Sequence, residues 1–388
     1  MGSFFLRLSP KSILYKPFVQ MKINVLILLF FFVSCSGGSI VNKAALFPLK
    51  TIADPMAEGI EWHPWQVIPE REDLKEIVVY DSLLISYVLP QSGHFMEIYS
   101  MNTGKKLGDF VLHGRSPQEM IQCLSRFSMI ENDNGVASLL YDFPTGRFMV
   151  WNITSSLEQG ITQFSRSYLI HPDPYSTIPA TSSFLSADHR KLILYDSGET
   201  VKSDRMVKAP TILQYDTRTG VMDSIILFKV YNYTKDSQTS VFESVPAKGI
   251  FSSRNCYNPA TDRMCLALNY FPTLLFVDGK DGVVRGVSLS GLKESDASAQ
   301  YWSFYHVASS TSEVFLLYSG DAYGGNHFAC RVLYVFDWEG NVLKKYHLPE
   351  DVFSISYDAV NQRLYFFNLA QGKIWYKDDV PGMISSGK

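Results

Sequence analysis

The sequence is poor in the short motifs that mark chemistry. Its 388 residues hold five cysteines, Cys35, Cys123, Cys256, Cys265 and Cys330, and no C-x-x-C pair, so a cysteine-based zinc module is excluded. No G-x-S-x-G is present, which removes the strand–elbow–helix setting of a serine nucleophile. H-E-x-x-H is absent too, and the histidines are scattered singly, without the i, i+4 spacing that puts two imidazoles on one helix face. Gly320–His327 is rich in glycine but sits between strand-like segments with no helix behind it, so it is not a phosphate cradle. The net charge is −3 with no basic stretch, which argues against nucleic acid as a partner. No apolar run reaches the roughly 18 residues a spanning helix needs.

Aromatic residues are abundant instead. They make up 14% of the chain, with 22 tyrosines and 26 phenylalanines, in a sequence that is 46% hydrophobic. That composition suits strands, and internal repetition gives it a plan. Tyr257–Asn269 and Tyr357–Asn368 are openly alike: a strand end, a polar turn, an arginine and a second strand. Weaker copies are Leu185–Asp196, Ile130–Leu140, Val78–Ile85 and His306–Leu317. An outer hairpin follows each of the first five: Ile98–Leu107, a degenerate Val150–Thr154, Leu213–Met222, Phe276–Val284 and Val335–Leu343. Asn or Asp opens these turns by bonding its own backbone, and glycine supplies the positive φ that follows. Two hairpins repeated six times predict an all-β, six-bladed β-propeller of four-stranded antiparallel blades. A pair of β-sandwich domains is the alternative, but it does not call for the regular return of one double hairpin. The last blade has its inner hairpin and one more strand, Lys373–Lys377. Its missing outer strand is expected from the N-terminal side, around Ala44 to Ile52, closing the ring and removing an open sheet edge.

At the N-terminus Lys22 precedes the apolar run Ile23–Val33, then Ser34 and Cys35. A charged start, a short apolar stretch and a small residue before cysteine resemble a bacterial lipoprotein signal, with Cys35 as the lipidated residue. A plain signal peptide or a short anchor is the alternative. The expected organisation is an upstream extension or misplaced start over 1–20, a signal over 21–35 and a propeller over 36–388. Loss of residues 1–34 removes Arg7, Lys11, Lys16 and Lys22 and no acidic residue, leaving an acidic exported domain. Export permits oxidation of the remaining thiols. Cys256 and Cys265 flank a hairpin tip, so they are either a cross-strand disulfide or two buried thiols.

After the first blade comes His113-Gly114-Arg115-Ser116-Pro117-Gln118-Glu119-Met120. It resembles the G-x-G-P-x-E/F element of TolB-like six-bladed propeller lipoproteins of the Bacteroidetes, with Ser116 at the second glycine. The resemblance implies the fold and an envelope location, anchored in a membrane through lipid, and it implies no activity.

Long connections on the face where inner strands begin are the expected functional surface. They run over 113–127, 166–183, 229–253, 291–304, 197–210 and 319–329. Arg115, Glu119, Tyr301, Trp302, Tyr323 and His327 are their candidate binding residues. Arg115 and Glu119 have a purely structural alternative as an ion pair. The leading expectation is an envelope binding scaffold for a small molecule, glycan, peptide or protein partner, with no cofactor. The rival is a calcium-dependent lactonase-type hydrolase, which needs carboxylates and carboxamides gathered at the channel mouth. A purely structural partner in an outer-membrane complex would instead show a broad apolar patch.

Overall fold

The computed structural model describes residues 49–65, 74–124, 128–132, 135–170, 180–197, 200–201, 206–207, 210–227, 251–292, 301–322, 329–368 and 370–378. The chain divides into two compact units, Met1–Asn42 and Lys43–Lys388. The first lies outside the described residues, as does Cys35. Among the described residues no helix is long and apolar enough to cross a membrane.

Three short strands come first: β1 (Leu49–Ala53), β2 (Glu58–Gly59) and β3 (His63–Pro64). Blade one is β4 (Leu74–Tyr80), β5 (Leu83–Val88), β6 (His94–Ser100) and β7 (Lys106–Leu112). Blade two is β8 (Ser128–Asn132), β9 (Gly135–Asp142), β10 (Arg147–Asn152) and β11 (Phe164–Leu169). Blade three is β12 (Ala180–Leu185) and β13 (Lys191–Asp196), then the small hairpin β14 (Thr200–Val201) and β15 (Met206–Val207), then β16 (Thr211–Asp216) and β17 (Met222–Ile226). Blade four is β18 (Ser253–Asn258), β19 (Arg263–Leu268), β20 (Thr273–Asp278) and β21 (Val284–Ser290). Blade five is β22 (Phe304–Ser309), β23 (Glu313–Tyr318), β24 (Cys330–Asp337) and β25 (Val342–Val352). Blade six is β26 (Ser354–Asp358), β27 (Arg363–Asn368) and β28 (Lys373–Asp378), with β3 as its fourth strand. This is a six-bladed β-propeller.

The second strand of each blade is covered on both faces by the neighbouring blades, so it reads as an unbroken apolar run. Leu192–Tyr195, Val314–Tyr318 and Leu364–Phe367 are all buried. The outermost strands keep water on one side; β17 is exposed along most of its length. The core therefore lies between blades. Ile77, Val79 and Leu84 of blade one pack against Tyr365, Phe367 and Ile374 of blade six, which seals the ring.

Two sequence expectations are corrected. The closing strand is not the Ala44–Ile52 segment. β1 runs parallel to β21 as a fifth strand on blade four, β2 does the same on blade five against β25, and β3 pairs antiparallel with β28. The N-terminal segment is thus a strap over the outer edges of blades four, five and six. An aromatic stack marks where it closes: Trp62 lies on Trp375 with centroids 4.9 Å apart, and the backbone N–H of Trp65 donates to the Ile374 carbonyl at 2.8 Å. Earlier residues have no such anchor to offer blade six.

The second correction concerns Val150–Thr154. The turn expected there is an α-helix, α1 (Ile153–Gln159). Asn152 bonds the N–H of Ser155 at 2.9 Å as the N-cap, and no glycine follows until Gly160, which ends the helix in the left-handed region. The same Asx chemistry that opens a turn elsewhere nucleates a helix when the glycine is delayed.

Candidate functional site

The inner strands converge on a central channel. One cavity of about 60 Å³ is lined by Glu76 of β4, Ser182, Ser183 and Phe184 of β12, Arg254 and Asn255 of β18, and His306 and Val307 of β22. Strands of blades one, three, four and five share a cavity only at the axis of the ring. The lining residues fall between the second and the fifth positions of their strands, which puts the cavity inside the channel. Its volume suits a few waters or one small polar group.

Most polar groups around it are already engaged. Asn255 donates from Nδ2 to Ser182 Oγ at 2.9 Å and accepts from Ser253 Oγ at 2.5 Å. His306 Nδ1 accepts from the Ile355 N–H at 3.4 Å, which leaves the ring proton on Nε2, facing Ser354 Oγ at 3.2 Å. These bonds tie blade three to four and five to six. Arg254 is different. Its guanidinium lies over the Tyr305 ring, 5.3 Å from the centroid, while its buried Nε has no acceptor. It pairs with no carboxylate among the described residues.

An aromatic row continues from Arg254. Tyr305 meets Trp302 edge-on at 6.1 Å, and Trp302 stacks on Tyr270 at 5.0 Å. The segment before β22 is held by the middle loop of its own blade: Trp302 N–H bonds the Asp321 carbonyl and Gly320 N–H bonds the Trp302 carbonyl, both at 2.8 Å. Tyr301 bridges Ala322 beside them.

Neither a protein-family model nor a curated protein matches this chain. Among solved structures, a DUF4221-family member from Bacteroides vulgatus is similar with TM-score 0.55 at 12% identity, covering 83% of this chain and 96% of that one. That likeness carries the fold. The Cps50 (Swd1) propeller domain of Myceliophteria thermophila has TM-score 0.41 at 12% identity, covering 81% of this chain and 99% of that one. Raptor of Chaetomium thermophilum has TM-score 0.46 at 9% identity, covering 82% of this chain and 30% of that one.

Of the residues singled out from sequence, Trp302 belongs to the aromatic row next to Arg254 and Tyr301 bridges Ala322 beside it; neither lines the cavity. Tyr323 and His327 lie outside the described residues. Arg115 and Glu119 form a separate feature, and the ion pair considered for them is not there. Glu119 Oε2 accepts from the Ser116 N–H at 2.8 Å, and backbone N–H groups, chiefly that of Ser116, hold its carboxyl below the usual carboxylate range. Arg115 is exposed. The arginine that staples this loop is Arg147 of β10, which donates to the Pro117 carbonyl at 3.0 Å and the Glu119 carbonyl at 2.6 Å. Asp142 adds bonds from the Ile121 and Gln122 N–H groups at 3.1 and 3.0 Å. The short turn closes on its own glutamate, and Arg115 stands exposed beside it.

Cys256 and Cys265 stand opposite each other in the β18–β19 register, and both are buried free thiols in this structure. Burial and the neighbouring Cys256 thiol push Cys265 well above the ordinary thiol range, away from nucleophilic chemistry.

One cluster could offer metal ligands among the described residues: His94, Glu97 and Asp109. It sits on the third and fourth strands of blade one, away from the inner strands. Lys106 pairs with both carboxylates, so a cation already sits among the groups that would ligate a metal. The cavity itself contains Glu76 as its carboxylate and Arg254 as its cation; the described residues there do not assemble the acidic shell a lactonase calcium requires.

The residues sequence reasoning missed are Glu76, Ser182, Arg254 and Asn255. The signal was present in one of them: Ser253-Arg254-Asn255 is a polar run entering a strand that turns apolar at Cys256.

Proposed function

We propose that this chain is an exported binding scaffold of the bacterial cell envelope, held to a membrane through a lipid on Cys35, that takes its ligand in the central channel. The observation that carries the reading is Arg254: a cation over an aromatic face, in a cavity built from four blades, with its buried Nε lacking an acceptor. A ring of packed blades holds these groups in place before a ligand arrives, which lowers the cost of binding. The partner class is a small molecule, or the exposed end of a glycan, peptide or envelope protein narrow enough to enter. The Cys35 motif supports the anchor and the location.

The test is a screen of the purified chain against envelope glycans, peptides and small-molecule extracts, repeated with Ser183→Trp, which fills the cavity. Binding that the tryptophan abolishes supports the reading. Ligands that bind both forms alike, or turnover of a captured ligand, overturn it.

A further inference from the structure

Resting on the channel reading, we infer that the ligand presents a single oxyanion group, carboxylate or phosphate, to Arg254. The guanidinium has five donors in a planar fork suited to two oxygens of one anion. In this structure none of them meets a carboxylate among the described residues, and Nε is buried without any acceptor. Tyr305 holds the guanidinium plane from one face, which fixes its direction and lowers the ordering cost when an anion arrives. A half-buried cation left this way is costly, and an oxyanion in the adjoining cavity removes the cost.

The rest of the cavity argues for one oxyanion and against a polyanion. Glu76 lines the same space from blade one, opposite blade four in the six-blade order. A second anionic group on the ligand would face it. The Asn255–Ser182 and His306–Ser354 pairs are bonded across blade junctions, so they serve as walls. The Tyr305–Trp302–Tyr270 row packs behind Arg254 and backs the guanidinium from outside the cavity.

The full chain is titrated with acetate and, separately, with inorganic phosphate, each against chloride at matched ionic strength. The readouts are the side-chain Nε–H resonance of Arg254 and the melting temperature. Saturable movement of that resonance with a matching rise in melting temperature is expected for at least one anion and not for chloride. Which of the two acts separates carboxylate from phosphate recognition. Arg254→Met should lose the anion-dependent rise and melt no lower than the parent in chloride, since an unpaired charge is gone. Arg254→Lys keeps the charge but not the fork, and should bind about tenfold more weakly or worse; it serves if the methionine variant does not fold. Failure of both anions to move the resonance, or a rise that survives in both variants, overturns the inference. A screened ligand blocked by Ser183→Trp but indifferent to Arg254→Met overturns the oxyanion class and leaves the channel site standing. One indifferent to Ser183→Trp overturns the site itself.

Discussion

The carboxylate of Asp358 in blade six accepts a hydrogen bond from the backbone N–H of Asp81 in blade one, at 3.0 Å and across 277 residues of sequence. It joins the two ends of the ring on the inner side, while β3 joins them on the outer side. Asp358 is fully buried and also accepts from the Val360 N–H at 3.1 Å and the Asn361 side chain at 2.7 Å. Asn258, its counterpart in the like segment of blade four, reaches the Thr311 carbonyl of blade five at 2.8 Å. The sequence likeness of the two hairpins is therefore a likeness of inter-blade staples.

Asp358→Ala should destabilise the ring by about 2–3 kcal/mol, because it leaves the Asp81 and Val360 N–H groups without their charged acceptor. Urea unfolding against the parent measures this. Asn258→Ala, which breaks a neutral bond, should cost less; an equal or smaller loss for Asp358→Ala would refute its role as the closing staple.

Trp62→Ala removes the stack on Trp375 and the tilted contact with Phe366 at 5.2 Å. A loss of about 3 kcal/mol is expected for a large aromatic anchor. The same change frees the edge of β28, so light scattering on heating should rise earlier than for a core variant of equal stability, such as Leu316→Ala. Matching scattering curves would show that the strap does not guard the edge.

Glu313 is a buried carboxyl with neither oxygen hydrogen-bonded, and burial raises its pKa to about 7. The folded state thus keeps the proton between the ordinary glutamate value and about 7, where the unfolded chain has lost it. Stability from this group is full below about 4.5, declines as pH rises to about 7, and is flat above. The decline should be about 3 kcal/mol. Glu313→Gln should flatten the unfolding free energy over that window; a parent whose stability climbs from pH 5 to 7 relative to the glutamine variant contradicts the assignment.

A Cβ on Gly114 would fall inside the Glu119 carboxylate, so Gly114→Ala must expel that side chain from the Ser116 N–H. The cost should be about 1 kcal/mol. In Gly114→Ala with Glu119→Ala the two losses should not add, since the second change removes the clash that the first creates. Additive losses in denaturant unfolding would mean that glycine serves some other purpose in this loop.

The architecture was legible because a propeller is local repetition. Each hairpin carries its own turn residues and its own period-two pattern, and six copies corroborate one another. Val150–Thr154 misled because an asparagine cap looks the same before a turn as before a helix, and the glycine that decides between them comes eight residues after Asn152. The candidate site was legible only in part. Tyr301 and Trp302 stood out as aromatics in a long connection, and Trp302 packs against Tyr305, the ring under Arg254, without lining the cavity itself. Arg115 and Glu119 stood out for the same reason, yet they belong to a loop that closes on itself.

By itself the sequence determined the blade number, the strand order within each blade and the place where a strand was missing, all of which follow from patterns a few residues long. Only the tertiary structure decided which segment closes the ring, since three stretches of the N-terminal strap can each add a strand and packing of Trp62 on Trp375 selects one. Only it could gather Glu76, Ser182, Arg254 and His306 into one cavity, because they lie on four blades and share no local pattern. Pairing is likewise a property of space: that Arg254 lies over Tyr305 with a buried Nε lacking an acceptor is recorded by no spacing along the chain.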